Sequence, residues 1–148
     1  MADAWLSLGG NIGDPTQQIT DALELLEKTP KISISKKSSM LINPPWGKVN
    51  QPNFHNMTIE ISTLLEPIAL LDACQNIENI LGRVRGEKWG PRNIDIDIIA
   101  YEQLILSVER LNLPHHHAHE REFVLQPLRE ISPTTAQWIL ELKAVPET

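Results

Sequence analysis

The chain has 148 residues and a formal net charge of -6, which argues against broad attraction to nucleic acid or to an anionic membrane surface. The length suits one hydrophobic core, so we expect residues 1–148 to form a single domain, and no apolar run approaches the roughly 20 residues that span a bilayer. The single cysteine, Cys74, excludes an internal disulfide, and the first residues do not resemble a secretory signal, so we expect a cytoplasmic protein.

The first predicted elements are a strand, a turn and a helix. Residues 4–8 are mostly apolar and run into residues 9–11, GGN, which predicts a short strand that ends in a turn. Asp14 then suits the N-cap of a helix, and Pro15 suits its first position. Apolar residues at helical spacing extend this helix to about Lys28.

Two strands and a second helix follow. Alternation predicts a half-exposed strand over residues 32–42, which the prolines of residues 43–47, NPPWG, interrupt. After a loop, residues 54–62 alternate again and predict a second long strand. Residues 67–81 carry apolar side chains on one helical face, and Gly82 is placed to end that helix.

The last predicted elements complete the fold. Residues 94–101 predict a strand, residues 111–113 a short extended segment, and residues 121–131 a weak helix that Pro127 limits. The order strand, helix, strand, strand, helix, strand is that of the split βαβ arrangement, in which helices cover an antiparallel sheet. We therefore predict an α+β, ferredoxin-like fold with additions near the C-terminus.

Two aspartates alternate with isoleucines in the last long strand. Side chains two residues apart in a strand lie on one face, about 7 Å apart at the backbone. Asp95 and Asp97 therefore share a face, while the isoleucines that alternate with them face the core. Two carboxylates this close raise each other's pKa unless a cation lies between them, and Mg²⁺ prefers such oxygen ligands. The alternative is a pair that only faces solvent.

A basic cluster directly precedes these aspartates. It comprises Arg83, Arg85, Lys88 and Arg92, and a Gly-Pro turn at residues 90–91 can bring it over the acidic face. Guanidinium groups suit phosphate oxygens and, together with Mg²⁺, stabilise the charge of a phosphoryl transfer. The combination predicts a nucleoside triphosphate with its metal, and the alternative is a solvated surface loop.

A histidine tract follows Pro114. It comprises His115, His116, His117 and His119. A His-rich tract can bind a transition metal, but these residues do not project together from one regular element and lack a standard zinc spacing. We favour one or two of them as hydrogen-bond donors to phosphate.

Aromatic residues are few, so their positions are informative. Phe54 and Phe123 are core residues by default. However, Asn56 lies two residues beyond Phe54 on the same strand face, and an amide beside an aromatic ring suits a flat heterocycle. Trp5 and Trp138 we assign to packing.

Several motifs, in order, resemble the hydroxymethyl-dihydropterin pyrophosphokinase family of folate biosynthesis. The stretch KWGPRNIDIDII, residues 88–99, resembles the family signature. The motifs LGGNIGD, NPPWG, QPNFHN, LGRVR, LPHHH and REFVLQPL also agree, so the resemblance runs from about Leu8 to Leu128. It implies an enzyme that transfers pyrophosphate from ATP to the hydroxymethyl group of 6-hydroxymethyl-7,8-dihydropterin, giving AMP and the pterin pyrophosphate.

The resemblance also implies roles for individual residues. Asp95 and Asp97 would hold two Mg²⁺ that bridge the ATP phosphates and the attacking hydroxyl, and Arg83 and Arg92 would be catalytic arginines. The ATP-binding positions are matched by Gln75, Glu78, Arg85, Lys88, Trp89, Arg92, Ile98, Arg110, His115, His116 and Arg121. The pterin-binding positions are matched by Asn43, Pro44, Trp46, Phe54, Asn56 and Phe123. The two phenylalanines would sandwich the pterin ring.

The chain departs from the family pattern mainly around the pterin pocket. Gly10 replaces a common serine, Asn43 a common threonine, and Trp46 a residue that is often smaller and aliphatic. His55 replaces an apolar residue, and Lys88 replaces an arginine, which gives a point charge in place of a fork. The metal pair is unchanged. The departures at Gly10, Asn43, Trp46 and His55 affect the shape of the pterin pocket, whereas Lys88 is an ATP-binding position.

Two other functions would use the same residues. A metal-dependent nucleotide phosphohydrolase would use the carboxylates with water as the nucleophile, and it would break down nucleotide without pterin. A non-enzymatic binding module would hold a transition metal in the histidine tract. We expect a monomer whose partners are ATP and hydroxymethyl-dihydropterin.

Overall fold

The structure, a computed structural model, describes residues 1–44, 53–82 and 94–144. The elements follow the predicted order strand, helix, strand, strand, helix, strand, with one additional short strand in the middle and further elements after the fifth strand. In chain order they are β1 (Ala2–Gly10), α1 (Pro15–Lys28), β2 (Ile32–Lys37), β3 (Leu41–Asn43), β4 (Phe54–Thr63), α2 (Pro67–Ile80), β5 (Asp95–Tyr101), β6 (Leu106–Val108), β7 (Leu111–Leu113), α3 (Glu122–Ile131) and α4 (Pro133–Ala144). None of the helices in the described ranges has the length and apolar character needed to cross a membrane.

The main sheet has the strand order β2-β4-β1-β5, and all neighbouring strands are antiparallel. The short strand β3 also pairs with β4, and β6 and β7 form a separate two-stranded sheet. Since β1 and β4 occupy the centre while β2 and β5 lie outside them, the connections through α1 and α2 are those of the split βαβ arrangement. This confirms the predicted α+β, ferredoxin-like fold.

Local signals explain the start of α1 and the end of α2. The Asp14 carboxylate accepts a hydrogen bond from the Gln17 backbone N–H at 3.2 Å, and Pro15 is the first residue of α1, as predicted. At the end of α2, Gly82 has a φ of 73°, the left-handed conformation in which glycine commonly terminates a helix.

One face of the sheet, which we call the core face, packs against α1 and α2. Its buried side chains are Leu6, Leu8, Ile59, Ile61, Ile96 and Ile98 from the strands, with Ile19, Ala22, Leu26, Leu70, Cys74 and Ile77 from the helices.

Burial, reinforced by the negative charges of Glu78 and Asp97, raises the pKa of the Cys74 thiol to about 12. Cys74 therefore packs as a small apolar residue and stays protonated at neutral pH.

The opposite face, which we call the open face, is covered only in part by α3 and α4. These helices form a second core over Trp5, Ile99 and Ala100, with Trp138 packed against it, as predicted for both tryptophans. The rest of the open face carries Ser7, Gly9, Asn56, Thr58, Asp95 and Asp97. Polar and small residues thus occupy the part of the sheet that the C-terminal helices leave uncovered.

Two of the predicted strand boundaries are wrong. The strand β1 continues through Gly10, which pairs with His55, so residues 9–10 are not the predicted turn. The predicted strand over residues 32–42 is broken at Ser38, whose hydroxyl accepts the Thr58 backbone N–H at 3.0 Å. Because this hydroxyl satisfies a donor of the neighbouring strand, the backbone leaves the sheet and returns as β3.

The C-terminal additions are more regular than predicted. Pro127 lies inside α3 and does not end it, because Val124, Leu128 and Ile131 bury one face of the helix against the second core. The helix α4 was not predicted at all. It begins at Pro133, directly after Ser132, and a serine followed by proline is a usable helix-start signal.

Candidate active site

The acidic pair lies on β5, the edge strand of the main sheet. Asp95 is opposite Gly9 and Asp97 is opposite Ser7 on β1, and both aspartates are half-buried on the open face. The alternate residues Ile96 and Ile98 are 3% and 2% exposed on the core face. The predicted orientation of the two carboxylates is therefore confirmed.

Asn56 lies in the same row of the sheet as Asp95, with Gly9 between them. Gly9 is opposite Asn56 on one side and opposite Asp95 on the other. Strands are about 4.8 Å apart, so Asn56 and Asp95 are separated by roughly 10 Å at the backbone. The Asn56 side chain is buried and leans over Gly9, so that a methyl group on Gly9 would collide with its Oδ1.

Further predicted pterin-binding residues lie two positions along from this row, where β3 pairs with β4. Phe54 is two residues from Asn56 on the open face, half-buried, and it lies opposite Asn43. The Asn43 Nδ2 is buried and has no hydrogen-bond partner among the residues that the structure describes. A buried amide donor without a protein partner is costly unless a ligand accepts its hydrogen bond. Pro44 follows at the surface, and Trp46 lies outside the described residues.

A second group lies where the chain enters α3. The Arg121 guanidinium is 5.6 Å from the centroid of the Phe123 ring, a cation–π distance, and Phe123 packs against the second core. The His115 backbone N–H donates to the Ile99 carbonyl at 2.8 Å, which holds this segment against β5. The structure thereby brings His115 beside the strand that carries the acidic pair.

Burial determines the protonation state of His115. Its pKa is lowered to about 4, mainly by burial and then by the positive charges of Arg121, His117 and His116. His115 is therefore neutral at pH 7. Its Nδ1 accepts the His117 backbone N–H at 3.2 Å, so the ring proton is on Nε2, which is a hydrogen-bond donor.

A third group flanks β5 from the side of α2. The buried Glu78 carboxylate accepts the Ile96 backbone N–H at 2.8 Å, which fixes α2 against the outer edge of β5. The Arg110 Nη2 donates to the Asp72 carboxylate at 2.6 Å and to the Gln75 side-chain oxygen at 3.2 Å. Gln75, Glu78 and Arg110, all predicted ATP-binding residues, are thus connected to one helix.

Of the remaining predicted residues, the structure describes Ile98 and His116 and does not describe the other six. The side chain of Ile98 is buried on the core face, so a nucleotide could contact only its backbone. His116 is exposed and its ring packs edge-on against His117 at 4.7 Å. The residues that lie outside the described ranges are Trp46, Arg83, Arg85, Lys88, Trp89 and Arg92.

The donor set on β5 suits Mg²⁺ and not zinc. Two neighbouring carboxylates leave most coordination positions to phosphate oxygens and water, which is the arrangement that Mg²⁺ prefers. In the histidine tract, His117 Nδ1 and His119 Nε2 each lie 3.3 Å from the Glu120 carboxylate. No group of three or more histidine, cysteine or carboxylate ligands suited to a metal occurs within residues 1–44, 53–82 and 94–144.

Sequence reasoning missed three residues of the open face. Gly9 separates Asn56 from Asp95, while Ser7 and Thr58 share the row of Asp97. A glycine in the interior of a strand often marks a close approach, and this signal is missed when residues 9–11 are interpreted as a turn. Ser7 and Thr58 carry no comparable signal, because their position depends on the register between strands.

Comparisons with known proteins identify the family of this chain. The sequence model of the family described as 7,8-dihydro-6-hydroxymethylpterin-pyrophosphokinase (HPPK) matches residues 5–133. A 2-amino-4-hydroxy-6-hydroxymethyldihydropteridine pyrophosphokinase of Methylorubrum extorquens is 49% identical over 133 residues, which cover 90% of this chain and 84% of that protein. The protein of the same name in Pseudomonas aeruginosa is 40% identical over 129 residues, covering 87% and 80%.

Solved structures support the fold. The HPPK-DHPS of Plasmodium falciparum with SDX-DHP superposes with a TM-score of 0.66 at 16% identity, covering 90% of this chain. The chain spans 40% of the length of that protein. At this identity the likeness concerns the fold alone.

Proposed function

Because this chain belongs to the 7,8-dihydro-6-hydroxymethylpterin-pyrophosphokinase family, we propose that its open face is where pyrophosphate passes from ATP to 6-hydroxymethyl-7,8-dihydropterin. The observation that carries this proposal is the row formed by Asn56, Gly9 and Asp95. It joins an amide suited to a heterocycle and a carboxylate suited to a metal, at a separation of roughly 10 Å. That separation leaves room for the hydroxymethyl group and the phosphates between the two ends.

The pterin binds at the β4 end of this row. The Asn56 amide supplies both a donor and an acceptor to the edge of the ring, and the buried Nδ2 of Asn43 supplies a second donor. Phe54 and Phe123 provide the two aromatic faces between which the ring stacks, and we assign Pro44 and Trp46 to the same ligand. An aromatic sandwich with few convergent polar groups is the usual form of a site for a flat ligand.

ATP binds across β5, the edge strand. Gln75, Glu78 and Arg110 lie on the α2 side of this strand, and His115, His116 and Arg121 lie on the side of α3. The backbone of Ile98 lies between the two groups. We also assign to ATP the basic cluster, Arg83, Arg85, Lys88 and Arg92, together with Trp89.

The carboxylates Asp95 and Asp97 would hold two Mg²⁺, which neutralise the phosphate charge and activate the pterin hydroxyl. Since a whole pyrophosphoryl group is transferred, the hydroxyl oxygen attacks the β-phosphorus of ATP. The bond from this phosphorus to the oxygen of the α-phosphate breaks, AMP leaves with the electron pair on that oxygen, and the hydroxyl proton is released to water. Arg83 and Arg92 stabilise the charge on the transferred group. Neutral His115 donates a hydrogen bond from Nε2 to a phosphate oxygen.

Product analysis tests this function. Incubation with ATP, Mg²⁺ and the hydroxymethyl dihydropterin should give AMP and the pterin pyrophosphate in equal amounts, and none without pterin. Formation of ADP, or no pterin product, would contradict the proposal. Equal nucleotide breakdown with and without pterin would instead indicate the phosphohydrolase, which the family match does not favour.

We also infer that residues 1–148 form one catalytic domain that works as a cytoplasmic monomer and binds neither nucleic acid nor membrane. The net charge of -6 supports the lack of nucleic-acid binding, because phosphate backbones attract basic proteins. Sedimentation at catalytic concentrations should give a single species near 16.7 kDa. A dimer mass would contradict the monomer without affecting the proposed reaction.

A further inference from the structure

We infer that Gly9 is a positioning residue for the reaction, because its missing side chain lets the Asn56 amide lean over β1 and so sets where this amide meets the edge of the pterin. This inference rests on the proposed function for the pterin site, but it adds a residue that contacts neither metal nor nucleotide in that proposal. The ligand it concerns is the edge of a flat, hydrogen-bonding heterocycle. Gly9 would act through Asn56 and not through the substrate.

The first argument is the space around Gly9. A Cβ built on Gly9 would collide with Asn56 Oδ1, and it would lie only 3.4 Å from Asn56 Cγ. Its distance to the nearest backbone atom, the His55 carbonyl oxygen, is 3.3 Å. The shortest contact is therefore with the side chain assigned to the pterin edge, and the contact with the His55 carbonyl oxygen is a second, milder conflict.

The second argument is the backbone of Gly9. The glycines with positive φ in the described ranges are Gly13 and Gly82, and Gly9 is not among them. An ordinary extended conformation is open to any residue, and glycine weakens a strand compared with residues that have side chains. Backbone freedom thus does not require a glycine at this position, whereas the position of Asn56 does.

The third argument concerns the position of the Asn56 amide. Asn56 is 6% exposed, so its amide has little freedom once it is seated over Gly9. Its carboxamide then lies above β1, between its own strand and the strand of Asp95. A methyl group on Gly9 would displace the amide from this position and would misalign its hydrogen bonds to the ring.

A double-mutant cycle on Gly9→Ala and Asn56→Ala tests the inference, with pterin binding and thermal unfolding measured for all four proteins. For Gly9→Ala we expect pterin binding to weaken about tenfold, the loss of one well-aligned hydrogen bond, while the Kd of a non-hydrolysable ATP analogue stays within about twofold. In the Asn56→Ala background, adding Gly9→Ala should change pterin binding by less than about twofold. Gly9→Ala should also lower Tm more when Asn56 is present.

Ala2→Val provides a control at the far end of β1. Ala2 is half-buried, pairs with Thr63 and lies on the other face of the sheet from Asn56. We expect this variant to bind pterin as the unmodified protein does. The control separates a general effect of enlarging a side chain on β1 from an effect on Asn56.

The outcomes distinguish this inference from the proposed function. If the unmodified protein binds no pterin, both are wrong. If it binds pterin and Gly9→Ala binds equally well, or weakens binding equally in both backgrounds, only the role of Gly9 is wrong. If Gly9→Ala does not fold, the thermal unfolding of the double variant still tests the inference. A double variant that folds supports the role of Gly9, and a double variant that does not fold overturns it.

Discussion

The two faces of the main sheet are built from the same strands but carry different chemistry. On the core face, Ile96 and its neighbours pack under α1 and α2, whereas on the open face Asp95 and Asp97 are half-buried and polar. The alternation of a strand places residues with opposite tasks one position apart. Substitutions at adjacent positions of β5 should therefore separate stability from activity.

The largest effect is expected on the open face. Asp97→Ala should reduce single-turnover AMP formation by on the order of a thousandfold, because a site for charge stabilisation is lost. Its Tm should fall little, because Asp97 does not belong to the core. Rapid-quench measurements and a thermal melt check both. A collapsed protein would show that Asp97 is structural, and the two faces would then not differ as described.

The matching change on the core face is Ile96→Ala. Removing this buried side chain should cost about 2–5 kcal/mol of unfolding free energy, the usual range for isoleucine to alanine in a core. The fraction that remains folded should keep most of its activity. Urea unfolding, with activity corrected for folded protein, checks this. A small loss of stability with a large loss of turnover would remove the distinction between the faces.

The third prediction concerns His115, at the boundary of the open face. Its folded pKa of about 4 is below the ordinary value of 6.5, so the unfolded chain takes up a proton that the folded protein does not. Stability should fall as pH drops from 6.5 to 4, by up to about 3 kcal/mol, and this contribution should not change further below pH 4. Unfolding at several pH values should show a smaller decline for His115→Gln. An unchanged decline would contradict the assignment.

The smallest effect on stability is expected at Arg110. Its ion pair with Asp72 is exposed, so Arg110→Ala should change the unfolding free energy by less than about 1 kcal/mol. ATP affinity should nevertheless fall several-fold, because the guanidinium is assigned to the nucleotide. Asp72→Ala is the matched control, since it breaks the same pair and should not weaken ATP binding. Equal losses of affinity in both variants would contradict a direct role for Arg110.

Features of the fold that depend on local periodicity were predictable from the sequence. The orientation of Asp95 and Asp97 follows from the two-residue period of a strand, and the start of α1 follows from Asp14 and Pro15. The break at Ser38 was not predictable in this way. It depends on a hydrogen bond to Thr58, a residue on another strand, which no local pattern contains.

The candidate site was predictable to the extent that family motifs mark it. The residues that resemblance assigns to ATP include Glu78 and His115, yet their contacts with Ile96 and Ile99 join distant parts of the chain. The role of Gly9 depends on the register that brings Asn56 beside it. Spacing along the chain contains neither fact, because both arise from the pairing of strands and the docking of helices.

The most direct test of the proposed magnesium site on β5 is a crystal structure with a non-hydrolysable ATP analogue and Mg²⁺. We expect two ions with carboxylate oxygens of Asp95 and Asp97 at about 2.0–2.1 Å, each also bound to phosphate oxygens. An ordered nucleotide with no ion at either carboxylate would contradict the proposal that β5 is the metal-binding strand.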